Sequence, residues 1–314
     1  MQTQITRSAK IGSYDNEPVY DVQMEEEPCT FFANGILVHN SSYFDCSPLV
    51  TKLIGDEKFT KKNVKKVCNE LDELVKKINN FCFEEIVKKK LHSDINCIEF
   101  KRETFSSEAV FLEAKKKYIL HVKDDEGSSC DKFKVVGYET KKTEIPIKVR
   151  SWIQRVIEES LVKNWSYDDY RRELAAFWDQ FKKLSIEEIS VFKGYSTEKV
   201  AEGFLRLEKK AGLHAKAAVY YNQLIDKFEL GGKYEKIKLG DRLRYCYILQ
   251  TNKFGIEAVG FLDKYPDEFR EWFDVDYKVM FHKIVMKPLL LYCEVQGWDA
   301  FDPTIDIEQD VLEL

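Results

Sequence analysis

The chain has 314 residues, 44% hydrophobic and 33% charged, so it can bury a core, and bulk disorder is excluded. Its apolar runs are too short to span a membrane and polar residues follow Met1, so the expectation is a soluble, cytoplasmic protein without a signal peptide. Against a net charge of −5, residues 1–40 carry −4 and residues 299–314 carry −6, which leaves +5 for the body and keeps a phosphate-contacting face open.

Residues 1–40 read as short strands: Val19-Tyr20-Asp21-Val22, then Thr30-Phe31-Phe32, an Asn34-Gly35 turn and Ile36-Leu37-Val38. Forty such residues cannot bury a core alone and need a partner surface. Residues 61–91 form an amphipathic helix, with Val64, Val67, Leu71, Leu74, Val75, Ile78, Phe81, Cys82 and Ile86 at three-four spacing and lysines opposite. That lysine face is read as solvated rather than as a binding surface. A β segment follows. Ile95 to Phe100 is expected as one strand, and Lys117–Lys123 and Lys132–Tyr138 as a hairpin around the polar stretch from Asp124 to Ser129.

From Pro146 the pattern turns helical. Val149, Trp152, Ile153, Val156, Ile157 and Leu161 make one stripe. Ser166 can cap a second helix carrying Tyr170, Leu174, Phe177, Trp178 and Phe181, and Ser185-x-x-Glu188 is a capping box. A helix is expected at 213–228, a hairpin at 236–249 around Gly240-Asp241, a helix at 277–296, and a mobile acidic end from Ala300 to Leu314. The fold class is α+β. The eight cysteines are scattered without a C-x-x-C pair, and the five histidines lack metal-site spacing. That argues against a zinc domain and for reduced, buried thiols.

The stretch with the clearest chemistry is His39-Asn40-Ser41. An Asn side-chain amide can attack its own backbone carbonyl, close a succinimide and release whatever follows. A neighbouring His can polarise that carbonyl, and a following Ser can hold an acyl group as an ester before passing it to its own freed amine. The surrounding V-Y-D-V-Q-M and F-F-A-N-G-I-L-V-H-N resemble the C-terminal splicing block of inteins. In that resemblance Asp21 is the acidic residue of the block, His39 the penultimate His, Asn40 the cyclising Asn and Ser41 the first extein residue. Cys29 stands where the block usually carries a His, so the group assisting cleavage differs. Met1 stands only eighteen residues before the block, and no initiating nucleophile or T-x-x-H block precedes it. The resemblance therefore implies the C-terminal half of a split intein, with the other half on a partner chain.

From Ser41 onward the chain resembles family B DNA polymerases of the tailed-phage type. Ser41-Ser42-Tyr43-Phe44-Asp45-Cys46 is similar to the residues after the paired aspartates of the family's D-T-D-S motif. Ile98 to Glu103 resembles the strand that brings a carboxylate near the metal site, with Glu103 at that position and Lys101 replacing an acidic residue. Lys115-Lys116-Lys117-Tyr118 contains the K-x-Y element, so Lys115, Lys116 and Tyr118 are expected at the primer–template minor groove. Gly137-x-Glu139 through Thr143-x-x-Pro146 resembles the segment that enters the thumb and touches the duplex backbone, with Thr143 in place of the usual Ser and Gly137 permitting close phosphate approach. His214 to Asn222 resembles the thumb helix, which makes His214 and Lys216 candidates for phosphate contact.

The resemblance implies three segments: 1–40, a short all-β intein fragment; 41–146, the end of an α+β palm; and 147–314, a mainly helical thumb with an acidic tail. It implies a nucleotidyltransferase that works only with its N-terminal polymerase and intein fragment. Primer–template DNA and deoxynucleoside triphosphates are its substrates, and two Mg2+ ions are held by the partner's aspartates. Splicing needs no cofactor. A sliding clamp was weighed as a partner for the tail, but Gln309 to Leu312 lacks the aromatic pair of clamp-binding peptides. The rival readings are a stand-alone DNA-binding module and a non-covalent polymerase subunit with an inactive intein.

Overall fold

The computed structural model describes residues 45–90, 92, 94–95, 100–112, 117–138, 144–195 and 212–305, together with the backbone of 30–33 and 36–39. The class is mixed α+β, as the patterning implies. Two compact units emerge from the packing: Met1–Ser107 with His121–Lys132, and Glu108–Leu120 with Phe133–Leu314. The segment boundaries after residues 40 and 146 rest on resemblance rather than on packing. Among the described residues no helix is long and apolar enough to cross a membrane.

In the first unit, β1 (Thr30–Ala33) and β2 (Ile36–His39) pair antiparallel, with Ala33 opposite Ile36 and Thr30 opposite His39. Two residues, Asn34 and Gly35, separate the strands, the loop length of the tightest hairpins. Helix α1 (Ser47–Ile54) has no counterpart in the sequence expectations. Asp45 accepts hydrogen bonds from the backbone N–H and hydroxyl of Ser47, and Pro48 sits where a helix loses nothing by lacking a donor.

Helix α2 (Lys61–Phe81) starts on Thr60, whose hydroxyl accepts the Asn63 N–H at 3.3 Å, and continues into a π-helical turn over Cys82–Lys88. Val64, Val67, Cys68 and Leu71 form a core with Ile54 and Phe105. The expected stripe is buried only in this first half. Leu74 is 41% and Phe81 64% exposed. The lysine face carries helical ion pairs, Lys76–Glu73, Lys88–Glu84 and Lys89–Glu85, as a solvated face does.

Strands β3 (Thr104–Phe111), β4 (Tyr118–Asp125) and β5 (Ser128–Val136) form a three-stranded sheet in that order. The strand expected at 95–100 is a correction. Ile95 and Phe100 lie outside any strand, residues 96–99 lie outside the described residues, and the first strand starts at Thr104. The reason is local. The Asn79 side chain donates to the Phe100 carbonyl at 2.9 Å and accepts its N–H at 2.7 Å, so both backbone groups are satisfied without a strand neighbour. The β4–β5 turn is tighter than the polar stretch suggests: only Glu126 and Gly127 turn, both at positive φ (49° and 84°), and Asp124 accepts the Gly127 N–H at 2.9 Å.

The second unit is organised around one aromatic core and one sheet. Helix α3 (Ile147–Lys163) follows Pro146, and α4 (Tyr167–Phe181) and α5 (Ile186–Ile189) begin with reciprocal capping boxes at Ser166/Asp169 and Ser185/Glu188. Trp152 of α3 stacks on Phe177 of α4 at 3.9 Å. Strand β6 (Val191–Gly194) pairs with β7 (Arg242–Tyr247), and β7 with β8 (Ala258–Phe261), all antiparallel. Helix α6 (Leu213–Lys227) packs on this sheet; a Cβ on Gly260 would stand 3.0 Å from the Ala217 carbonyl oxygen, so the close approach requires glycine.

The hairpin expected at 236–249 is a second correction. Strand β7 pairs with β6 and β8, not with residues 236–239. Asn222 of α6 donates to the Ile237 carbonyl and accepts the Ile237 N–H, both at 2.8 Å, and the Tyr221 hydroxyl donates to the Glu235 carbonyl at 2.9 Å. The segment is thus tied to the helix and has no backbone left for strand pairing.

After α7 (Asp267–Trp272), α8 (Tyr277–Phe281) runs through a π turn at His282–Met286 into α9 (Lys287–Gln296), matching the expected 277–296 helix. The acidic end is anchored further than expected. Thr304 is buried, and Asp302 pairs with His282 at 2.8 Å; residues 306–314 lie outside the described residues. The six described cysteines are free, and burial raises the thiols of Cys68 and Cys246 to about 11 and about 12.

Arg102 closes the first unit. Its side chain is 9% exposed, its Nε donates to Asp72 at 2.8 Å and its Nη1 to Asp124 at 2.6 Å. Replacing Arg102 by Met should destabilise the chain by about 3 kcal/mol, because the buried Asp124 charge loses its partner. Adding Asp124→Asn should restore part of the loss. Urea denaturation of the single and double variants checks both.

Candidate nucleic-acid interface

The splicing candidates fall mostly beyond what can be placed. Asp21, Cys29, Asn40 and Ser41 lie outside the described residues, as do Lys115, Lys116 and Thr143. His39 is placed by its backbone alone, as the last residue of β2 opposite Thr30. The register therefore brings the end of the His39 strand beside the start of the Thr30 strand.

Glu103 immediately precedes β3. Its carbonyl accepts the Glu126 N–H at 2.6 Å, which fastens it to the β4–β5 turn, and its side chain is half-buried. The carboxylates gathered beside it, Asp72 and Asp124, are committed to Arg102. Among the described residues no group of three or more His, Cys, Asp or Glu side chains is arranged to hold a metal ion. These residues do not make a magnesium site, and no catalytic step is derived from one here.

Tyr118 opens β4, half-buried, with its ring 6.3 Å from that of Phe111. Gly137 follows β5 at φ 64°, a conformation that favours glycine, and Tyr138 beside it is buried and donates its hydroxyl to the Pro288 carbonyl. The buried tyrosine fixes the chain direction at the exposed glycine.

The remaining candidates come together on α6. His214 is the second residue of the helix, and its ring folds back over the N-cap. A Cβ on Gly212 would lie 2.8 Å from the imidazole. Lys216, one turn on, pairs with Glu257 at 3.2 Å. The sheet beneath adds a residue that no motif predicts. By strand alternation, Lys193 of β6 lies on the same sheet face as Leu243, Tyr245 and Gly260, the face that α6 covers. Its ammonium pairs with Glu144, whose carbonyl in turn accepts the Phe192 N–H at 2.9 Å.

Burial lowers the His214 pKa, the Lys193 charge lowers it further, and Glu144 opposes them. At neutral pH the imidazole is therefore uncharged and offers a neutral N–H beside two lysines. Tyr245 and Tyr247 continue the same face, their rings 6.2 Å apart, with the Lys283 ammonium 5.9 Å from the Tyr247 ring. Burial raises Tyr245 to about 12, so its hydroxyl stays protonated. Lysines, a neutral imidazole and tyrosine hydroxyls are donors suited to phosphate oxygens. Each lysine of the pair, however, already faces a carboxylate.

Sequence reasoning thus reached His214 and Lys216 but not Lys193, which lies in a stretch without a motif. It quoted Tyr221 and Asn222 without their role in fixing residues 235–237. No protein-family model matches this sequence, and no curated protein matches it either.

The electrostatics predict a titration. The His214 midpoint, followed by NMR of the imidazole, should fall below about 6.5. Lys193→Met should raise it and Glu144→Gln should lower it further. Because the folded value is depressed, the stability linked to this group is complete above about pH 6.5 and is lost as the pH falls through the folded midpoint.

Proposed function

We propose that this chain is the C-terminal precursor fragment of a family B DNA-directed DNA polymerase, joined to its N-terminal fragment by intein-mediated trans-splicing. The observation that carries the proposal is His39-Asn40-Ser41 directly following a strand pair whose sequence resembles the C-terminal splicing block. In this reading the Ser41 hydroxyl first receives the N-terminal polymerase fragment as an ester. The Asn40 amide nitrogen then attacks the Asn40 backbone carbonyl, polarised by His39, and the bond to the Ser41 nitrogen breaks. Residues 1–40 depart with a C-terminal succinimide. The freed Ser41 amine takes the acyl group from its own oxygen through a five-membered ring, and a peptide bond results.

After splicing, residues 41–146 complete the palm and residues 147–314 form a thumb that grips primer–template duplex. Lys115, Lys116, Tyr118, Gly137, Thr143, His214 and Lys216 are the proposed contacts. Two magnesium ions on the partner's aspartates supply stabilisation of the attacking and leaving oxygens. The gathering of His214, Lys216 and Lys193 on one face supports the grip, because it supplies donors and cations for a phosphate backbone.

The test is a mixture with the N-terminal fragment, read by mass spectrometry and by primer extension. A larger product lacking residues 1–40 should appear and extend primers. This chain alone should bind duplex with strong salt dependence and extend nothing, and extension by it alone would overturn the reading. Asn40→Ala should leave residues 1–40 attached to the C-terminal product. An active complex that forms without ligation would instead identify a non-covalent subunit.

A further inference from the structure

Lys193 and Glu144 are brought together by folding, not by sequence. Glu144 follows Thr143 in the segment entering α3, and Lys193 lies on β6, on the sheet face that carries α6 and His214. The pair is held from both sides. The Glu144 carbonyl accepts the Phe192 N–H, and the Glu144 carboxylate meets the Lys193 ammonium. Both side chains remain part-exposed, at 37% for Lys193 and 44% for Glu144, so a ligand can reach either one. The arrangement recurs one turn into α6, where the Lys216 ammonium faces Glu257.

We infer that Lys193 is a further phosphate-contacting residue of the duplex grip, and that Glu144 is a built-in competitor holding the Lys193 ammonium until a phosphate displaces it. The inference rests on the polymerase reading above and names two residues that reading does not use. A phosphate oxygen and a carboxylate oxygen accept the same ammonium hydrogens, so only one of them can hold Lys193 at a time. Duplex binding must then break the internal pair, which weakens non-productive binding and leaves the net charge of the face low in the free chain. Such a device suits a fragment that must find its partner before it commits to DNA.

The experiment uses the full chain with a primer–template duplex, measuring affinity by fluorescence anisotropy across a salt series. Glu144→Gln should tighten binding about two- to fivefold, the range an exposed ion pair allows. It should also steepen the logarithmic salt slope by about 0.9, one added phosphate contact. Lys193→Met should weaken binding, Lys193→Arg should preserve it, and the gain from Glu144→Gln should vanish in the Lys193→Met background. Circular dichroism melts of all four variants separate loss of contact from loss of fold. If Glu144→Gln tightens binding equally with and without Lys193, the effect is general charge and the inference fails. Wild-type binding that no variant alters also overturns it while leaving the polymerase reading intact. Absence of any duplex binding by the wild-type chain would overturn both.

Discussion

The second unit depends on how closely α6 can approach its sheet. With the Ala217 carbonyl 3.0 Å from where a Cβ of residue 260 would stand, any side chain there would lift the helix away. That single contact sets the height of α6, and the height sets everything the helix carries. Tyr221 and Asn222 reach the backbone at 235–237 only from that height, and His214 sits at the helix start over the same sheet face as Lys193. The close packing of protein interiors converts one missing methyl into the position of an entire binding surface.

The two units share a device. In each, an asparagine on a helix stands in for a missing strand: Asn79 takes both backbone groups of Phe100, and Asn222 takes both of Ile237. A carboxamide has a donor and an acceptor spaced much like those of a peptide, so it can satisfy an unpaired backbone segment without a ladder. These segments lead toward the functional candidates, one to Glu103 and the other to the strand that pairs with β6. The asparagines therefore hold chain entry points in place without contributing chemistry of their own.

The candidate interface is electrostatically restrained. Its lysines face carboxylates, its histidine is kept neutral by burial and a neighbouring cation, and its tyrosines stay protonated. A face of this kind recognises phosphate by hydrogen bonding and by exchange of partners, rather than by a large standing positive field. The net charge of the chain agrees with this, since the modestly basic body is offset by acidic segments at both ends.

The sequence by itself determined the elements whose signals are local. The stripes of α3 and α4, the Ser166 and Ser185 caps and the 277–296 helix were legible because periodicity and capping act within a few residues. His214 and Lys216 were legible through a motif confined to one helix. What only the tertiary structure decided involves groups far apart in the chain: the loss of the 95–100 and 236–249 strands to asparagine side chains, the burial of Arg102 between two aspartates, and the place of Lys193 beside His214. Hydrogen-bond satisfaction is settled between whichever partners folding brings within about 3 Å. No pattern along the chain records that distance.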